Sequence, residues 1–107
     1  MTTFAVPTSK MGDWLETQDC LIATDEGEAV AMACGEYLAT GEVATVAIGE
    51  NGLLNALDAL ITLSQLQNIP VNLVVYTRDD EPQHKMVTDK LKELLDLYQI
   101  KAEIHGL

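Results

Sequence analysis

Residues 25–41 read DEGEAVAMACGEYLATG, and they follow closely on a short apolar run, Cys20-Leu21-Ile22-Ala23. The run has the composition of a strand. The stretch after it spaces Ala29, Val30, Ala33 and Tyr37 at helical period and stops at Gly41, a residue suited to the left-handed conformation that ends helices. Thr24 or Asp25 is the N-cap. The junction is therefore a strand running into a helix, and in an open α/β sheet the carboxyl end of a strand is where ligands are held. Asp25 and Glu26 stand at that mouth. Acids in a first helical turn are favoured by the helix dipole alone, so their position by itself does not separate a site from ordinary capping.

The pattern repeats outward from this junction. Thr2 to Val6 has strand propensity and is stopped by Pro7-Thr8-Ser9, which leads into a short helix from Lys10 to Thr17. Val43 to Ile48 is a third strand, and the turn Gly49-Glu50-Asn51-Gly52 opens a helix from Leu53 to Gln67 with Leu57, Leu60, Ile61 and Ser64 along one stripe. Val71 to Tyr76 is a fourth strand. Pro82 suits the first turn of a fourth helix, whose buried face reads Val87, Leu91, Leu94, Leu95 and Tyr98. Lys101 to His105 is a short last strand at an edge. Strands alternating with helices, several of them apolar throughout, predict a three-layer α/β/α domain. It has a mainly parallel sheet, about five strands and four helices.

The chain has 107 residues, the size of one domain, and only five aromatics, so its core is aliphatic. Its net charge is −11, and from Met11 to Thr77 there are ten acids and no lysine or arginine. Nucleic acid, which needs a basic surface, is excluded as a partner. An anionic ligand would need helix N-termini, the basic residues from Arg78 onward, or another subunit. Cys20 and Cys34 form no CxxC and have no histidine nearby, so they read as two reduced, buried thiols. No apolar run approaches the ~18 residues that span a bilayer, and no leader-like segment opens the chain. A soluble cytoplasmic protein is expected.

Four loops, at Pro7 to Ser9, Asp25 to Gly27, Gly49 to Asn55 and Asp79 to His84, fall at carboxyl ends of strands, which a parallel topology brings to one edge. The Gly49 to Gly52 turn lacks both the GxGxxG pattern and the Walker lysine. His84, beside Asp79, Asp80 and Glu81, has the surroundings of an acid–base group and equally those of a solvated loop residue. No calcium-loop spacing is present, and no metal site is assigned. His105 has no context from which a role follows.

Several of these stretches carry a family likeness. DEGEAVAMACGEYLATG resembles the helix that opens the cofactor site in the pyrimidine-binding (PYR) domain of thiamine-diphosphate-dependent decarboxylases. Residues 51–56, NGLLNA, resemble the NSGLGNA-like segment, and residues 80–85, DEPQHK, the matching segment, of sulfopyruvate and phosphonopyruvate decarboxylases. Residues 4–9, FAVPTS, resemble their first-strand VPxS loop. The likeness covers nearly the whole chain, in order, as a single PYR-like domain over residues 1–107 shortened at both ends.

The resemblance implies that Glu26 hydrogen-bonds the aminopyrimidine of thiamine diphosphate and selects the tautomer that activates it. It places Gly52 and Asn55 near cofactor or substrate and His84 against substrate, a small 2-oxo acid. The GDG-type motif of the diphosphate-binding (PP) domain is absent, so diphosphate and magnesium would be held by a separate PP-domain chain, and this chain would not be active alone. A second reading is a non-catalytic PYR-like protein that self-associates or binds another small molecule.

Overall fold

Asp25 takes an extended conformation and its carboxylate accepts the Glu28 N–H at 2.9 Å, which fixes it, rather than Thr24, as the cap of the first described helix, α1 (Glu26–Thr40). Glu28 reaches back, accepting the Thr24 N–H at 3.0 Å and the Thr24 hydroxyl at 2.7 Å. At the other end Gly41 adopts φ 77° and donates its N–H to the Tyr37 carbonyl at 2.8 Å, the expected left-handed stop. Ala29, Val30, Ala33 and Cys34 line the buried face of α1. Small side chains there let the helix lie close to the sheet.

The computed structural model describes residues 2–8, 20–77 and 82–105, with residues 82–84 described by backbone only. The strands are β1 (Thr3–Ala5), β2 (Cys20–Ile22), β3 (Thr45–Gly49), β4 (Asn72–Tyr76) and β5 (Glu103–His105). They form one sheet in the order β2-β1-β3-β4-β5, every pair parallel. Between β3 and β4 a single 3-10 turn, Glu50–Gly52, runs into α2 (Leu53–Ala59) and then a wider, π-helical turn, Leu60–Gln65. The Leu66 N–H accordingly reaches the Ile61 carbonyl, five residues back, at 2.9 Å. The third helix, α3 (Pro82–Leu97), begins at the expected proline.

Register puts Phe4 beside Val46 and Ile48 beside Val75. These side chains join Val30, Ala33, Leu53, Ala56, Leu60 and Leu95 in one core, to which all three described helices contribute. The alternate positions, Ala5, Ala47, Val74 and Tyr76, make a second buried cluster on the opposite face. With both faces buried, the sheet is the middle layer of an α/β domain, as the alternation of elements predicts.

Three of the four expected α-helices are described, and the fourth, placed at Lys10 to Thr17, lies outside the described residues. Three expectations need correction. β2 is an edge strand, so Leu21 and Ile22 are exposed and Cys20 is half-buried, whereas Cys34 is buried as expected. The inward positions of α2 are Leu53, Ala56 and Ala59; of the expected stripe Leu60, in the π-helical turn, is buried as expected, whereas Leu57, Ile61 and Ser64 are only partly covered. On α3, Thr88 is buried and Val87 is exposed, the reverse of the apolar reading. The reason is a carboxylate, described next.

Candidate functional site

The strand order reverses direction between β1 and β3. Connections from those two strands leave in opposite directions, which opens a crevice at their carboxyl ends. Thr8, Gly49 and Glu50 stand there. A β-carbon on Gly49 would come within 2.7 Å of the Thr8 methyl, so glycine is required for the β1 loop to lie against the end of β3.

Glu50 turns inward. It is 2% exposed, and its Oε2 accepts the Thr88 hydroxyl at 2.6 Å, tying the loop after β3 to α3. A buried carboxylate needs donors, and Thr88 supplies one at the helix position that apolar spacing would give to a hydrophobic residue. Leu53, Val75 and Leu91 surround the pair beside a cavity of about 10 Å3, room for a single water.

Three acids crowd the mouth of α1, and the structure gives them different work. Asp25 caps the helix and Glu28 is bonded to Thr24, whose hydroxyl and amide hold the Glu28 carboxyl below its ordinary value. Glu26 makes no hydrogen bond among the described residues and is half-buried. Its carboxylate packs directly against Gly52, where any β-carbon would collide with it. A β-carbon on Gly27 would sit 3.2 Å from the Asn55 carbonyl, so the α1 and α2 backbones also approach closely here.

Three of the four residues singled out from sequence, Glu26, Gly52 and Asn55, are thus brought together where α1 meets α2. Gly52 is buried, and the Asn55 side chain is exposed. The backbone of His84 lies in the first turn of α3, one turn before Thr88; its side chain is outside the described residues, as are Asp79, Asp80 and Glu81. Leu54, 64% exposed, borders the site next to Asn55. Chemically the arrangement offers a half-buried carboxylate with no hydrogen bond among the described residues, seated on Gly52 where the backbones of α1 and α2 approach. Among the described residues no three His, Cys, Asp or Glu side chains gather as a metal ion requires.

A second polar group was missed. His105 Nε2 lies 2.8 Å from Glu103 Oε1, and its ring stacks on Tyr76 with centroids 5.2 Å apart. Burial pushes the Tyr76 phenol above its ordinary value, and Glu103 and Cys20 add to the shift. The signal was present in the strand period of two, which puts residues 103 and 105 on one face.

Among the described residues no helix is long and apolar enough to cross a membrane. No family model matches the chain, and no curated protein matches it.

Proposed function

We propose that this chain is the PYR-domain subunit of a thiamine-diphosphate-dependent 2-oxo acid decarboxylase of the sulfopyruvate or phosphonopyruvate type, acting in the cytoplasm with a separate PP-domain chain. The observation that carries the reading is Glu26: of three acids at the helix mouth it alone is left out of the cap bonds, half-buried and packed on Gly52. That carboxylate fits one end of the cofactor, because it is an acceptor aimed from a rigid strand-to-helix junction at which a ring N–H can be received. For the other end the sequence has no GDG-type motif and residues 11–77 carry no lysine or arginine, so on this reading diphosphate and magnesium are assigned to the partner chain.

When bound, the cofactor supplies the carbanion that attacks the carbonyl of a 2-oxo acid. The part of this chain is to accept the pyrimidine hydrogen bond at Glu26, to hold that side chain in place with Gly52, and to present the Asn55 amide beside it. His84 is the proposed acid–base residue toward substrate. With the PP-domain chain added, Glu26→Gln lowers the rate of CO2 release by about 10²–10⁴-fold, because the amide no longer selects the reactive tautomer. Unchanged decarboxylation in that variant sinks the proposal. Calorimetry on the isolated chain is expected to show no thiamine diphosphate binding.

Leu54, exposed at the rim of the site, favours a second reading: a non-catalytic PYR-like protein that self-associates or binds a different small molecule. A stable homo-oligomer without affinity for the cofactor, even with the PP-domain chain present, distinguishes it.

A further inference from the structure

We infer that the outer edge of β5 is an interface at which a second copy of this chain docks antiparallel about Ile104, joining two five-stranded sheets into one of ten. The inference is independent of the decarboxylase reading and rests on the backbone, the side chains and the distribution of charge.

The backbone comes first. β5 is the last strand of the sheet, and the His105 carbonyl accepts the Thr77 N–H at 2.9 Å, so His105 directs its main-chain groups toward β4. Neighbouring residues of a strand point their N–H and C=O to opposite sides. The N–H and C=O of Ile104 therefore face outward, and among the described residues no strand pairs with them. A two-fold axis through Ile104 would let the two copies exchange both of these hydrogen bonds.

That register decides the side chains. Glu103 of each copy falls opposite His105 of the other, in the non-hydrogen-bonded positions where side chains stand closest. All four lie on one face, so carboxylate and imidazole alternate around the axis. On the other face a shallow groove between α3 and β5, floored by Leu95, Ile100, Ala102 and Ile104, carries Lys92 and Asp96 on its α3 side. These two are one helical turn apart and opposite in sign, so an antiparallel copy of α3 meets its complement there as well.

Charge distribution selects a second copy, and selects this edge. From Pro82 to Leu107 four lysines, Lys85, Lys90, Lys92 and Lys101, meet four carboxylates, Asp89, Glu93, Asp96 and Glu103, so that stretch is neutral. The whole net charge of −11 resides in residues 1–81. The opposite edge, β2, exposes Leu21 and Ile22 but belongs to the stretch without a single cation, where two copies would set like charges against each other. Of the two edges of the sheet, the α3–β5 side is the one whose described residues let this acidic chain approach itself without that cost.

Sedimentation equilibrium of the 107-residue chain should show a dimer. His105→Glu alone and Glu103→His alone each place like groups opposite one another and are expected to weaken association about tenfold. Mixed in equal amounts, the two variants regain complementary pairs and form the heterodimer, seen by native mass spectrometry. A role confined within one chain cannot be restored in trans. Should either variant fail to fold, hydrogen exchange on the unaltered chain decides: the Ile104 amide gains protection as protein concentration rises. A monomer at all concentrations, a dimer indifferent to both variants, or concentration-independent exchange at Ile104 overturns the inference.

Discussion

Adding one methyl group at Gly52 would force the Glu26 carboxylate out of its seat, because the new β-carbon and the acid would occupy the same space. Gly52 has an ordinary helical φ of −89°, so alanine meets no backbone strain there and the effect falls on Glu26 alone. Gly52→Ala should therefore leave the fold stable, within about 1 kcal/mol in urea titrations, while displacing the Glu26 side-chain resonances in NMR spectra. At Glu50 the opposite holds. Thr88→Val removes the hydroxyl from a buried carboxylate and should cost about 1.5–3 kcal/mol, whereas Glu50→Gln keeps an acceptor oxygen for Thr88 and should cost less. Neither role could be read from residue type. Glu50 stands in a polar turn, and its partner lies 38 residues away in a helix whose apolar spacing pointed to Val87 instead. Sequence patterns report which residues avoid water; they do not report which polar group needs another.

Helix α1 shows what local pattern does reveal. Its cap at Asp25, its stop at Gly41 and its inward alanines were all legible, because each depends on neighbours within a few residues. The Thr24 bonds depress the Glu28 carboxyl, and a depressed acid stabilises the fold above its unfolded range and loses that contribution as pH falls through its folded pKa. The Thr24 amide resonance should thus titrate with a midpoint below that of ordinary glutamates, and Thr24→Ala, which removes the hydroxyl but keeps the amide donor, should return Glu28 part of the way to the usual range. Strand β2 shows the converse. Cys20, Leu21 and Ile22 are apolar on both faces and read as a buried strand, yet the order of the sheet leaves them at its rim. Which strand neighbours which is settled by crossovers between distant segments, and three residues carry no record of it.

At the scale of the molecule, the parallel sheet and its alternating helices followed from the sequence. The gathering of Glu26, Gly52 and Asn55 followed once parallel topology was granted. Cys34 belongs to the central core, where burial raises its thiol above the ordinary value. Since the thiolate is the nucleophile, native Cys34 should resist iodoacetamide at neutral pH and react at the rate of a free thiol once urea unfolds the domain. Peptide mapping of alkylation against urea concentration would then report global stability directly.

Among the described residues, 20–77 carry seven carboxylates and no lysine or arginine while 82–105 are neutral, and this partition makes the molecule an electric dipole. Near a positively charged surface it should turn its β2 side inward and leave α3 and β5 toward the solution. A protein adsorbed in that orientation would keep the free edge of β5 open to another copy, so a cationic support that captures one molecule would hold it poised to recruit a second.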